Sequence, residues 1–361
     1  MIVHFGNGPE AFKSRWEGRP KTPPFKWDHG LVGPTDQDWL QDGLDLYVFG
    51  VDDLISEDLA QVSPDAKDQD LKAVHALLVK YGGALQAIFK YYEAAGDMDV
   101  RDQDKMTLEQ FRKFMIDAKV ADETFKPDNI DECFSEVQLQ NLKGAGKKQS
   151  NESSIGVEAF FIATLRVACR KFKVGTPNGF AELNMRLSEF LNSYIFTNIG
   201  PIFQKFHSEF SGFASPETQL LLRKGRRLTM QTLDSCQLRR VAAAERRLDV
   251  KYLAHHMMKW GTLKENKKGR PECIDFLDLA RFVIFAKQLD GDLTQYTLHN
   301  SPYELNYDEF ERFLAALAFD FYNKAGADAA DREETFVEYL GEFLDDIFRK
   351  SGVLLEMKTE D

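Results

Sequence analysis

The amino-acid sequence predicts an all-α protein with an extended N-terminal arm. From about residue 41 onward, apolar residues recur at three- and four-residue spacing, which is the period of an amphipathic helix. Alternation of apolar and polar residues, which would indicate strands, is scarce. Phenylalanine is unusually common, with 29 copies in 361 residues, and this abundance suits helices that pack through aromatic side chains.

The arm is predicted over residues 1–45 because its composition differs from that of the rest of the chain. The first 40 residues contain five of the 12 prolines and three of the four tryptophans. Proline at this density blocks a regular helix, and the residue before each proline favours an extended backbone. The tryptophans Trp16, Trp27 and Trp39 either fold back on the chain's own domain or insert into a partner as interface anchors.

Helical segments follow one another through the rest of the chain. The first, 71–96, contains an interruption at Gly82 and Gly83 and has Gly96 as its stop signal. The later segments with the same periodicity are 130–142, 155–172, 183–196, 251–260, 273–287, 305–322 and 334–352.

Part of this helical pattern is duplicated within the chain. When Ile155 is aligned with Leu305, Phe160 coincides with Phe310. A second alignment, of Met106 with Ile274, brings "KFMIDAK" onto "RFVIFAK". The sequence therefore predicts four parts: the arm at 1–45, a first helical module at 46–200, a basic helical connector at 201–245 and a second helical module at 246–361.

Four segments can be aligned with the 12-residue loops that bind calcium when an apolar residue is placed at the eighth position, although the spacing to the preceding helix indicates stretched loops at Ile155 and Ile274. Such a loop supplies oxygen ligands at fixed positions, has Gly at its sixth position and closes with a bidentate Glu at its twelfth. Its eighth residue is apolar and pairs two loops through a short ladder. The apolar anchors of the four segments are Met106, Ile155, Ile274 and Leu305. Their closing residues are Gln110, Ala159, Asp278 and Glu309.

None of the four segments has the ligand set that calcium needs. In the first, Arg101 stands at a ligand position and Asp104 stands in place of the glycine. The weak metal candidates in the chain are Asp97, Asp99, Asp102 and Asp104, and the alternative is that these residues form a solvated acidic loop. We therefore expect no cofactor and no calcium binding.

Three stretches nevertheless resemble the EF-hand, or calmodulin-like, superfamily in degenerate form. They are "MTLEQFRKF", "IGVEAFFIATLRVA" and "LNYDEFERFLAALA". The resemblance covers roughly residues 70–350 and implies tandem helix–loop–helix modules. The Trp- and Pro-rich arm followed by repeated amphipathic helices is also similar in style to proteins of the flagellar axoneme, including those on doublet microtubules. That likeness implies a cytoskeletal scaffold.

A basic segment, 223–247, stands out in a chain whose net charge is −12. It contains eight basic residues against Asp234 and Glu245. Such a segment suits an acidic surface, of which tubulin is one example, whereas the alternative is an ordinary solvated helix face. The partner-binding candidates within it are Arg223, Lys224, Arg226, Arg227, Arg239 and Arg240.

Composition and motifs argue against several other classes of protein. The acidic net charge and the lack of aromatic residues within the basic segment disfavour nucleic acid as a partner. We find no apolar run near the ~18 residues of a membrane span and no signal-peptide core. The four cysteines are scattered, which favours a reducing, intracellular setting. No catalytic motif is present, so we do not expect an enzyme.

The sequence thus favours a cytoplasmic, non-enzymatic scaffold of the ciliary or flagellar axoneme. It would bind microtubules or other axonemal proteins without calcium, through the arm and the basic segment. The alternative is a calcium-responsive sensor or adaptor that regulates a partner protein through an apolar groove.

Overall fold

The computed structural model describes ten stretches of the chain between residues 64 and 354. The predicted arm, 1–45, is outside the described residues, as are Trp16, Trp27 and Trp39. The described stretches are 64–95, 104–144, 154–176, 179–210, 215–236, 247–264, 273–287, 292–296, 302–326 and 335–354.

Helices make up most of the described residues, which confirms the predicted all-α class. A π-helical turn, Leu191–Phe196, joins two of them, and a 3-10 turn spans Leu293–Gln295. The α-helices are α1 (Pro64–Glu93), α2 (Leu108–Asp117), α3 (Pro127–Gly144), α4 (Val157–Lys171), α5 (Leu183–Phe190), α6 (Thr197–Phe210), α7 (Pro216–Ser235), α8 (Val250–Trp260), α9 (Phe276–Lys287), α10 (Tyr307–Gly326) and α11 (Phe336–Lys350). Among the described helices, none is both long enough and apolar enough to cross a bilayer.

The chain forms two compact units. Among the described residues, the first contains those of Met1–Lys80 and Met106–Ile195, and the second contains those of Tyr81–Lys105 and Phe196–Asp361. Helix α1 therefore contributes residues to both units.

The interruption predicted at Gly82 and Gly83 is wrong, because α1 continues through both glycines. Each glycine lowers the stability of a helix by about 1 kcal/mol relative to alanine. Both lie in a buried part of α1, where the neighbouring side chains Leu85 and Ile88 are fully buried. Tertiary packing of this kind outweighs an unfavourable local propensity.

In the first unit, two short strands pair and each is followed by a helix. Strand β1 (Met106–Thr107) precedes α2, and β2 (Ser154–Ile155) precedes α4. The strands are antiparallel, with Met106 opposite Ile155, and both of these side chains are buried. Two of the predicted apolar anchors therefore lie opposite one another.

The second unit contains a similar pair of strands, but with a different residue opposite Leu305. Strand β3 (Leu248–Asp249) pairs antiparallel with β4 (Glu304–Leu305), and Leu248 faces Leu305. The assignment of Ile274 as an anchor is wrong, since Ile274 forms an isolated parallel bridge with Leu263. The repeat alignment of Met106 with Ile274 stays a prediction, although it is Leu248 that stands opposite Leu305 as Met106 stands opposite Ile155.

Aromatic side chains fill the core of the first unit. Phe111 and Phe114 from α2, Phe134 from α3 and Phe160 from α4 lie against one another, with ring centroids 5.4 to 6.1 Å apart. All four are essentially inaccessible to solvent. The high phenylalanine content of the sequence is thus used where the helices meet.

Candidate partner-binding surface

The basic surface of the second unit is built on α7, which begins at a strong helix-start signal. The hydroxyl of Ser215 accepts a hydrogen bond from the Thr218 N–H at 3.1 Å, and Pro216 is the first helical residue. One face of α7 is buried and packs against α10 and α11. The buried residues of that face are Thr218, Leu222, Thr229, Thr232 and Leu233.

Four of the predicted partner-binding residues are exposed on the other side of α7. They are Arg223, Lys224, Arg226 and Arg227, which lie within about one turn and a quarter of helix. A shallow surface depression is lined by these four residues together with Met230, Gln231 and Asp234. The depression is lined by α7 alone.

Arg226 differs from its neighbours because an aromatic ring holds it. Its guanidinium group lies 5.0 Å from the centroid of the Tyr307 ring, in cation–π geometry. The Tyr307 hydroxyl donates a hydrogen bond to Glu311 at 3.1 Å. Burial raises the pKa of Glu311, while Tyr307 and then Arg226 act to lower it. The guanidinium group of Arg226 is therefore already engaged by α10, and Lys224 and Arg227 are better placed to meet a separate molecule.

The remaining basic candidates are not part of this surface as described. Arg239 and Arg240 lie outside the described residues. Arg247, at the end of the basic segment, pairs with Glu304 at 3.5 Å.

The weak calcium candidates do not form a described metal site. Asp97, Asp99 and Asp102 lie outside the described residues, and the residues that are described contain no cluster of three or more groups able to hold a metal. Asp104 is described and adopts a left-handed backbone conformation, with φ at 68°. Its carboxylate pairs with the ammonium groups of Lys90, at 3.4 Å, and Lys251.

Asp104 belongs to a cluster of charged side chains that was not predicted from the sequence, and its other members are Lys90, Glu93 and Lys251. Burial acts to raise the pKa of Asp104, but Lys90 and Lys251 lower it overall. Lys90 also pairs with Glu93 at 2.5 Å, and both of these side chains are almost fully buried. The sequence signal that could have indicated this cluster is a lysine and a glutamate inside the otherwise apolar run "AIFKYYEAA".

The predicted loop-closing residues have separate roles. Ala159 and Asp278 are buried near the beginnings of α4 and α9, where Asp278 pairs with Arg281 at 3.3 Å. Gln110 forms a capping box at the start of α2, since its side-chain oxygen accepts from the Thr107 N–H at 2.7 Å. Glu309 accepts from the Asn306 N–H at 2.7 Å and pairs with Lys287.

No protein-family model, curated protein or solved structure matches this chain.

Proposed function

We propose that the protein is a non-enzymatic scaffold of the ciliary or flagellar axoneme. It binds the acidic surface of microtubules, or of other axonemal proteins, through the exposed cations of α7 and does so without calcium. The observation that supports this proposal most is the grouping of Arg223, Lys224, Arg226 and Arg227 on one exposed face of a chain whose net charge is −12. A basic patch on an acidic protein favours one orientation towards an acidic partner.

The same proposal includes tandem degenerate EF-hand modules. The order of elements supports these modules. Each of the short strands comes just before a helix, and the described strands form two pairs, β1 with β2 and β3 with β4. Asp104 adds to it, because a left-handed residue two positions before the apolar anchor Met106 is where a calcium loop has its glycine. Paired modules of this type form a stiff body on which a binding surface can be presented.

The experiment that tests the proposal is co-sedimentation of the full-length protein with microtubules across a salt series. Contacts between exposed charges are screened within about 8 Å at physiological ionic strength, so binding should weaken as salt rises. The variant Lys224→Glu/Arg227→Glu should weaken binding by roughly tenfold. Arg226 is left unchanged because it also stacks on Tyr307.

The matched control is Lys126→Glu/Lys205→Glu, which reverses the same number of exposed charges outside α7. Binding should be unchanged by this control. Equal losses in the two variants, or no loss in either, would contradict the role of α7. Pelleting that requires calcium would favour the alternative function, a calcium-responsive sensor.

A further inference from the structure

Glu309 and Lys287 form an ion pair inside the second unit. The Lys287 ammonium donates to the Glu309 carboxylate at 2.6 Å, and the two side chains are 4% and 8% exposed. The carboxylate oxygen that accepts from Lys287 also accepts from the Asn306 N–H at 2.7 Å. A buried carboxylate is stable only when its charge is compensated in this way.

The position of Glu309 in the chain corresponds to a ligand position of a calcium-binding loop. Glu309 follows Leu305 by four residues, and Leu305 is the residue of β4 that pairs with Leu248. In a calcium loop, the residue four positions after the paired apolar residue is the bidentate glutamate that closes the metal site. This comparison of positions rests on the proposed EF-hand modules, whereas the ion pair itself does not.

Asp104 is a second acidic side chain that pairs with lysines beside a strand, although it stands where a calcium loop has its glycine and not a ligand. It precedes Met106 by two residues, and its carboxylate pairs with Lys90 and Lys251. In both places, an acidic side chain next to a paired strand receives its positive charge from lysine side chains of neighbouring helices. The lysines come from α1 and α8 in one case and from the last residue of α9 in the other.

We propose that the carboxylate of Glu309 is a cation site whose permanent occupant is the ammonium group of Lys287. One ammonium group neutralises one carboxylate, whereas a divalent ion bound to Glu309 alone would leave a buried positive charge. The lysine is also tethered, so its local concentration does not depend on ions in solution. The charge of Glu309 is therefore neutralised regardless of calcium.

Chemical rescue of Lys287→Ala in the full-length protein tests this proposal. The variant leaves Glu309 without its counter-charge, and we expect its Tm to fall on the order of 10 °C. Methylammonium chloride is small enough to enter the space left by the side chain. It should raise the Tm of the variant by several degrees more than sodium chloride at equal ionic strength, and it should leave the wild-type protein unchanged.

The control is Lys113→Ala, which removes the exposed partner of Asp117 at 2.9 Å and should show neither the loss nor the rescue. Rescue of Lys287→Ala by sodium and methylammonium alike would overturn the proposal. If Lys287→Ala does not fold, Lys287→Met/Glu309→Gln should fold, because no charge is left unpaired.

The Tm of the wild-type protein with and without calcium is a second test, and it does not depend on whether Lys287→Ala folds. Because the site is already occupied, millimolar calcium should leave the wild-type Tm unchanged. A calcium-dependent increase in Tm that Glu309→Gln abolishes would overturn the proposal. These results are separate from microtubule binding, which depends on α7 and not on this ion pair.

Discussion

Gln110 and Glu309 occupy the same place in two parts of the molecule, but their surroundings differ. Each is the third residue of a helix that follows a paired strand, α2 in one case and α10 in the other. Each accepts a hydrogen bond of 2.7 Å from a backbone N–H three residues earlier. Both take part in a reciprocal cap, since the Gln110 N–H donates to the Thr107 hydroxyl and the Glu309 N–H donates to the Asn306 side chain. Gln110 is neutral, whereas Glu309 is charged and contacts Lys287. The comparison shows that the backbone needs only an oxygen here, and that the charge of Glu309 requires a separate partner.

Glu309→Ala should have the largest effect, since it leaves the ammonium group of Lys287 buried without a partner. We expect a loss of about 3–5 kcal/mol in the free energy of unfolding, measured by urea titration of the helical circular dichroism signal. Hydrogen exchange should increase first in α9 and α10, where the two residues lie.

The matched variant for this prediction is Glu309→Gln, which keeps the oxygen that Asn306 needs and removes the charge. Its loss should be smaller than that of Glu309→Ala. If Glu309→Ala lost less than about 1 kcal/mol, the ion pair would not be an important part of the fold.

Glu93 is another buried acid of the second unit that pairs with a lysine. One carboxylate oxygen lies 2.5 Å from the Lys90 ammonium group, and the other oxygen is buried. Burial raises the pKa of Glu93 to about 7, although Lys90 acts to lower it. Glu309 differs in that the oxygen facing Lys287 also accepts a backbone N–H.

A raised pKa in the folded state means that protonation of Glu93 favours folding. This contribution is complete below the ordinary glutamate pKa near 4.5 and is lost as pH rises through about 7. Between pH 5 and 8, the wild-type protein should lose on the order of 2 kcal/mol relative to Glu93→Gln, whose side chain does not titrate. Urea unfolding of both proteins at a series of pH values measures the difference. Parallel pH profiles would show that Glu93 is ionised throughout.

Gln110→Ala should have the smallest effect, because it removes a neutral capping hydrogen bond and leaves no buried charge unpaired. The expected decrease in unfolding free energy is about 1 kcal/mol, with faster hydrogen exchange confined to the first turn of α2. Gln110→Glu keeps the acceptor oxygen and should retain the protection of that turn. A loss for Gln110→Ala as large as that for Glu309→Ala would remove the distinction between the two sites.

The sequence predicted the helices well where local patterns define them. The segments 130–142, 251–260 and 334–352 lie within or nearly coincide with α3, α8 and α11. It failed at Gly82 and Gly83, where local propensity opposed a helix that packing enforces. It also predicted the basic segment, but exposure of Arg223 to Arg227 on one face became visible only when the buried face of α7 was known.

The sequence could not predict which residues far apart in the chain contact one another in the fold. Leu305 faces Leu248 and not Ile274, although both candidates are apolar residues near the start of a helix. Lys287 and Glu309 are separated by 22 positions, and no periodic pattern relates them.

By itself, the sequence determined the all-α class and most of the helical segments, because the spacing of apolar residues acts within one or two turns of the chain. Only the tertiary structure decided which strands pair and which lysine neutralises each buried acid. The physical reason is that a helix is set by neighbours three or four residues away, whereas the stability of a buried charge depends on whatever group folding brings into contact with it.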